Sequence, residues 1–367
     1  MVSLAGGLPA AELYPIAEIQ AAAQRALAKH GTAALEYGPV EGLPALRALI
    51  AQRISTETGG LFSSANVMLT TGAMQGLDLI GKVLLDEGDT IVAQSPTYLG
   101  ALDAWRPRMP VYKKLDWTAP DTDALRTCKF AYAVPNYSNP TGVLVGQVCR
   151  SALLNDVLES GTWLVEDDPY RSLQFEGDPG PTILERYVAE HPGPYNGPII
   201  YLGTVSKTLV PGLRVGWIVA ESNIIQALAL AKMSTDLSSS MFTQAVAFEL
   251  LEAGFDKVHA QTIAPVYRER RDALCHEAAL RLSPWFEWEI PVGGMFVWMR
   301  AKGNAINTDE LYQFALDENV AFVPSSVFDF SGEDCFGMRL NFTRNSPALL
   351  REGIERLERA IRKYVSR

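Results

Sequence analysis

Cysteine is scarce in this 367-residue chain: there are four, at positions 128, 149, 275 and 335, with no Cys-x-x-Cys spacing among them. Cys275 and its neighbour His276 point to different faces of a predicted helix, so the pattern argues against both a disulfide framework and a zinc site. Long apolar runs are missing too. No stretch approaches the roughly 20 residues of a membrane span, and the N-terminus lacks a charged region followed by an apolar core and a cleavage site. The expected location is cytoplasmic, with no membrane partner. Positive charge is in deficit: the net charge is −10, the pI is near 5.1, and no local basic patch offsets them. Nucleic acid and anionic membrane surfaces are therefore poor partners. Repeats and low-complexity tracts are also absent. What is present is a 48% hydrophobic, 20% charged composition, ordinary for a globular protein, and a length that suits two domains with a large core.

Residues 1–15 read as an extended arm, because Gly6, Gly7 and Pro9 oppose a helix and Pro15 suits the start of the next element. An alanine-rich helix is predicted over 16–29, stopped by His30 and Gly31, followed by a Gly/Pro turn at 35–42 and a helix over 43–54. From Val67 the pattern changes: predicted strands at 67–71, 90–94, 130–134, 163–166, 199–202 and 215–219 alternate with helices at 73–85, 99–105 and 146–160. Such alternation predicts an α/β domain with a mostly parallel sheet covered on both faces, its ligand site in the loops beyond the strand ends. The connection over 171–198 is rich in turn residues, with one short helix near 183–190. Helices over 225–232, 242–251 and 255–282 then lead to a second, α+β domain with strands at 285–290, 295–299, 321–323 and 336–341. Asn307 with Glu310 has the spacing of a capping box, and Ser346-Pro347 begins a last helix striped by Leu350, Ile354, Leu357 and Ile361.

The chemistry concentrates around the segment 201–217, YLGTVSKTLVPGLRVGW. Lys207 lies between two sheet segments, with the hydroxyls of Thr204 and Ser206 before it and Arg214 seven residues on. An amine beside hydroxyls and a guanidinium suits a carbonyl cofactor that carries a phosphate. A surface loop lysine is the plain alternative. Upstream, Thr70 to Leu79 is a strand end, a glycine and a helix start, whose free amides at Ala73, Met74 and Gln75 form an anion site backed by the helix dipole. Glu166, Asp167 and Asp168 are three consecutive carboxylates at a strand end, an arrangement that needs a cation: a protonated ring nitrogen or a divalent metal. Alternation along a strand disfavours the metal. Asn139 in NYSNPTG is either a turn former or a ligand. Arg339, on a predicted strand, needs an anion, for which a substrate α-carboxylate and a structural ion pair compete.

These motifs, from SLAGGLP at Ser3 to MRLNF at Met338, run in the order of the class I and II aminotransferases that depend on pyridoxal 5'-phosphate (PLP), and the chain resembles that family over nearly its whole length. The 2-aminoadipate and kynurenine aminotransferase branch is the most similar. The resemblance implies fold type I: a large domain with a mostly parallel, seven-stranded sheet and a smaller α+β domain, divided here as an arm and helix over 1–40 that joins the small domain, a cofactor domain over 41–250, and the small domain over 251–367. It further implies that Lys207 forms a Schiff base with PLP and moves the proton, that Asp167 pairs with the pyridine nitrogen, and that Tyr98 stacks on the ring. Asn139 and Tyr170 would contact the cofactor's phenolic oxygen, with Tyr170 counted among the catalytic groups. The phosphate would fall to Ala73, Met74, Gln75, Thr204, Ser206 and Arg214, helped by Tyr37 from a second subunit of a homodimer. Gly7, Asn139 and Arg339 would hold the substrate. Met74 departs from the polar side chains common at its position, which leaves only its backbone amide for the phosphate.

The activity implied is transfer of an amino group from a 2-aminoadipate-like, aromatic or branched-chain amino acid to a 2-oxo acid, with 2-oxoglutarate the expected acceptor. A PLP-dependent lyase or racemase on the same fold is the alternative enzyme. A PLP-binding regulator domain is the alternative from another class, disfavoured because the chain begins near the first motif and has no basic helix-turn-helix.

Overall fold

A computed structural model describes all of residues 1–367. After an arm strand, β1 (Val2–Ser3), come helices α1 (Ile16–His30) and α2 (Pro44–Thr58). The alternating region follows: β2 (Val67–Thr70), α3 (Ala73–Leu84), β3 (Thr90–Ala93), α4 (Leu99–Trp105), β4 (Val111–Lys114), α5 (Thr122–Thr127), β5 (Phe130–Ala133) and α6 (Gln147–Ser160). It continues through β6 (Trp163–Asp167), α7 (Ile183–Glu190), β7 (Ile199–Thr204), β8 (Gly216–Val219), α8 (Ser222–Asp236) and α9 (Met241–Glu252).

Strands β2 to β8 form one seven-stranded sheet, in the order β2-β8-β7-β6-β5-β3-β4. Every pairing is parallel except those of β8, which runs antiparallel to both neighbours. Strands β2, β5 and β6 read as near-continuous apolar runs because helices cover both faces of the sheet, leaving no wet side that would call for alternation. Two elements escape the sequence reading, β4 and α5. Strand β4, VYKK, sits at the sheet edge with three of its four residues exposed, so it carries no apolar signature. Helix α5 has only six residues and is started by Asp121, whose side chain accepts from Ala124 N.

The second domain comprises α10 (Phe255–Arg281), β9 (Phe286–Trp288), β10 (Phe296–Ala301), α11 (Thr308–Asp317), β11 (Val320–Ala321), β12 (Val323–Pro324), β13 (Gly337–Asn341) and α12 (Pro347–Val365). Its antiparallel sheet has the order β12-β13-β10-β9. The single strand expected over 321–323 is instead two. Strand β11 pairs in parallel with the arm strand β1, while β12 pairs with β13. Helix α12 is capped by Ser346, whose side chain accepts from Leu349 N, and it buries the predicted stripe. The capping box at Asn307 is one-sided: Asn307 Oδ1 accepts from Asp309 N and Glu310 N, but the Glu310 carboxylate turns to Tyr364 and Arg367.

The expectation that residues 1–40 join the small domain as one piece is corrected. The arm does so through β1 and β11, with Leu4 buried in the same cluster as Val320 and Ile354. Helix α1 packs instead on α9: Ala22 and Ala26 are buried with Ala247 and Leu250, and Arg25 and Lys29 both pair with Glu249 at 2.9 and 2.8 Å. The physical reason is that the alanine face of α1 permits close approach to another helix, which a sheet edge cannot offer. One consequence matters for the site. The arm between β1 and α1 must cross from one domain to the other, and it does so over the C-terminal ends of the sheet strands.

Candidate active site

Lys207 follows β7 in the loop that reverses the chain into β8. Thr204 Oγ1 braces that loop: it donates to Val215 O (3.0 Å), accepts from Ser206 N (3.1 Å) and lies 2.9 Å from Ser206 Oγ. Thr204 is thus committed to the scaffold, and Ser206 is the hydroxyl of the pair nearer to freedom. The lysine is partly buried beneath the arm, where its Nζ donates to Gly7 O (3.0 Å), so the surface-loop alternative does not hold. Burial first, then the charges of Arg339 and Arg214, lower its pKa to about 8, against the opposing pull of Asp167.

The three consecutive carboxylates part company. Glu166 accepts from Ile183 N and Leu184 N, both at 2.9 Å, and so caps the start of α7. Asp168 accepts from Asn136 Nδ2 (2.9 Å) and Tyr201 OH (3.1 Å). Asp167 faces the lysine. Its Oδ2 accepts from Tyr132 OH (2.8 Å), while its Oδ1 is buried with no donor. Burial is the main cause of a pKa raised to about 7; the Tyr132 hydrogen bond and the Lys207 charge oppose it, and Asp168 adds to it. The divergence of the three side chains means that they do not form a metal-binding cluster. A buried carboxylate oxygen without a donor, beside a lysine, is what a cationic N–H on a ring would complete.

The anion end of the site is built on Gly72. Its φ of +77° is left-handed, and a Cβ there would fall 2.4 Å from Arg214 Nη2, so glycine alone lets the guanidinium lie against the turn. Arg214, itself at φ +53°, donates to Thr71 O (3.1 Å) and remains exposed. The amides of Ala73 and Met74 have no acceptor within the chain, whereas Gln75 N is taken by Gly72 O at 3.2 Å. The anion site therefore offers two free amides rather than the three expected. The Gln75 side chain is spent as well, accepting from Thr71 N (2.7 Å) and donating to Asp236 (2.6 Å). Tyr98 borders this end with its hydroxyl 3.6 Å from Met74 Sδ, and Gly100 leaves room for its ring.

Arg339 extends from β13 and forms no ion pair, which removes the structural alternative. Its Nη1 donates to Asn139 Oδ1 (2.7 Å) and its Nη2 to Ala5 O (2.6 Å), while its buried Nε has no acceptor. The guanidinium lies over Phe296 and Phe328, 4.3 and 4.9 Å from their centroids. Burial lowers its pKa to about 10, which still leaves it charged at neutral pH. Tyr170 lies on the same side, its ring meeting Phe296 edge-on. Gly7 closes this end; a Cβ there would touch Phe296 at 3.4 Å.

Tyr37 is the one expected site residue that the fold leaves apart. It is 87% exposed, on a turn held by Gly38, whose N–H donates to Ser238 Oγ (3.4 Å) and where a Cβ would collide with Met241. Several residues that shape the site were not found from the sequence: Tyr132, Phe296 and Phe328. Tyr132 alone left a signal, since a tyrosine inside a fully buried strand needs a partner for its hydroxyl.

The family described as "Aminotransferase class I and II" matches residues 2–357. The chain belongs to the class I and II aminotransferases. It is 39% identical over 370 residues to a 2-aminoadipate transaminase of Thermus thermophilus, spanning 99% of this chain and 90% of that one. It is 36% identical to aromatic-amino-acid aminotransferase 1 of Thermococcus litoralis, spanning 100% and 89%. Among solved structures, LysN, the alpha-aminoadipate aminotransferase of Thermus thermophilus complexed with N-(5'-phosphopyridoxyl)-L-leucine, superposes with a TM-score of 0.91 at 37% identity, covering 100% of this chain and 93% of that one. This aminotransferase is accordingly a PLP enzyme of fold type I.

Proposed function

We propose that this aminotransferase takes its amino group from a 2-aminoadipate-like, aromatic or branched-chain amino acid, gives it to 2-oxoglutarate, and works in the cytoplasm as a homodimer. The observation that carries the site assignment is the donorless Oδ1 of Asp167, buried beside Tyr132 and within range of the Lys207 charge. PLP, when bound, withdraws electrons from the amino acid's α-carbon as that carbon loses its proton. Lys207 would hold the cofactor covalently and, as a free amine, would carry the proton from the amino acid's α-carbon to the cofactor carbon that bears the nitrogen. Its lowered pKa keeps a useful fraction unprotonated. Asp167 holds a proton on the ring nitrogen, and Arg339 fixes the α-carboxylate so that the proton to be moved faces Lys207. Tyr98 flanks the ring, and Asn139 and Tyr170 hold its phenolic oxygen. Arg214, Ser206, and the amides of Ala73 and Met74 take the phosphate, with Gln75 and Thr204 bracing their loops. The arm at Gly7 keeps water out.

A half-reaction distinguishes this reading from a lyase or racemase. Purified enzyme given a donor amino acid alone is expected to release one equivalent of the matching 2-oxo acid per site and then stop until 2-oxoglutarate is added. Continuous turnover without an acceptor would refute transamination.

The exposed Tyr37, on the turn whose Gly38 N–H donates to Ser238 Oγ, is read as a phosphate donor for the other subunit. Mixing Tyr37→Phe with Lys207→Ala subunits tests this. Sharing puts both defects in one site of the heterodimer and neither in the other, so activity is expected to exceed that of the Tyr37→Phe dimers in the mixture. No recovery, or a monomer at working concentration, would refute sharing.

A further inference from the structure

Helix α8 carries a lysine that solvent does not reach. Lys232 is 0% exposed, and its Nζ lies 2.6 Å from Asp236 Oδ1 one turn further on. Asp236 Oδ2 in turn accepts from Gln75 Nε2 (2.6 Å) and Thr71 Oγ1 (3.3 Å). Thr71 N donates to Gln75 Oε1, Thr71 O receives Arg214 Nη2, and Thr71 Oγ1 lies 2.9 Å from Ser239 Oγ. The chain reverses after α8 at Leu237, whose φ of +59° brings Ser239 back onto Thr71. The turn that bears the free Ala73 and Met74 amides is thus tied, through both Thr71 and Gln75, to a single carboxylate. Hydrogen bonds from Lys232 and Gln75 hold that carboxylate below its usual pKa although burial pushes the other way, so it is charged.

An ion pair with a fully buried lysine and a partly exposed carboxylate is weak support for stability, since an apolar pair of the same volume often does as well. The location gives it another use. Asp236 organises the anion site, but it also places a negative charge behind the position a phosphate dianion must enter, and Lys232 cancels that charge. We infer that Lys232 and Asp236 are a positioning pair for the cofactor phosphate: Asp236 holds Thr71 and Gln75 so that the Ala73 and Met74 amides stay free, and Lys232 neutralises Asp236 so that the dianion is not repelled. The inference rests on the reading of this turn and Arg214 as the phosphate site.

The test uses the full-length enzyme, stripped of cofactor and titrated with PLP and with pyridoxal, which lacks the phosphate. The ratio of the two affinities isolates the phosphate's contribution, which a general loss of packing would leave unchanged. Lys232→Met is expected to weaken PLP binding about tenfold while pyridoxal changes little, because the uncompensated, half-buried Asp236 charge now faces the phosphate. Lys232→Met combined with Asp236→Asn removes both charges yet leaves an amide oxygen for Gln75, and should recover most of the ratio. Arg214→Gln serves as the control and should collapse the ratio. An unchanged ratio in Arg214→Gln means that the phosphate binds elsewhere and the site reading itself fails. A collapsed ratio there with an unchanged one in Lys232→Met overturns the positioning pair alone. If Lys232→Met does not fold, Asp236→Asn alone decides: it leaves the Lys232 charge uncancelled and should raise the ratio above the parent's, and a ratio at or below the parent's refutes the pair.

Discussion

Lys207→Ala is expected to abolish the visible absorbance of covalently held cofactor and to lower turnover by about four orders of magnitude or more, with the fold retained. A positioned proton-transfer group alone contributes roughly 10²–10⁴, and here the same group also makes the covalent bond. The fold should survive because the side chain makes one internal hydrogen bond, to Gly7 O, and its removal relieves the burial of a cation between Arg339 and Arg214. Burial, with the charges of those neighbours, also sets a pH dependence. With a pKa of about 8, about one lysine in ten is unprotonated at pH 7, whereas a free lysine would have only about one in several thousand. The rate at which stripped enzyme captures PLP should therefore rise with pH through about 8 and then level off. An undiminished cofactor band in Lys207→Ala, or a capture rate still climbing toward pH 10, would contradict this account.

Asp167→Asn should keep PLP bound yet lose turnover by several orders of magnitude, because an amide cannot hold the ring nitrogen protonated; each tenfold is about 1.4 kcal/mol of barrier. The same substitution should raise the stability of the cofactor-free chain. Asp167 has a pKa of about 7 in the fold, above the ordinary carboxylate value it has when unfolded. Between roughly pH 4 and 7 the folded chain therefore binds the extra proton, so stability falls as pH rises through that window, and the deficit is complete above about 7. Asparagine does not titrate, so the variant's melting temperature should exceed the parent's at pH 8 and converge on it near pH 4. Equal melting temperatures at both pH values would show that Asp167 is not held in the strained, donor-poor state described here. A site that gives up stability for a charge it will use later is the trade often found at catalytic centres.

Much of this protein was legible in its sequence because the physics behind those features is local. Alternation of short apolar runs with helical periods determined the α/β domain, and glycine, proline and cap residues determined most helix ends, as at Ser346 and His30. Lys207 beside its hydroxyls, the run of three carboxylates and Arg339 on a strand stood out as residues that need a partner, and the family resemblance then singled out Asp167 and Asn139. Elements with no apolar signature, such as the edge strand β4, remained hidden. Tertiary structure alone decided which partner each costly group obtained. Residue chemistry alone could not separate Glu166 and Asp168 from Asp167; the resemblance chose Asp167, and the sheet supplies the reason by sending one to the start of α7, one to Asn136 and Tyr201, and leaving one with a donorless oxygen. Gln75 could not be seen as a brace rather than a phosphate ligand until α8 brought Asp236, 161 residues away, to its side chain. Local sequence sets conformational preference and polarity, but the satisfaction of a buried polar group depends on atoms brought together by packing, and those are distant along the chain.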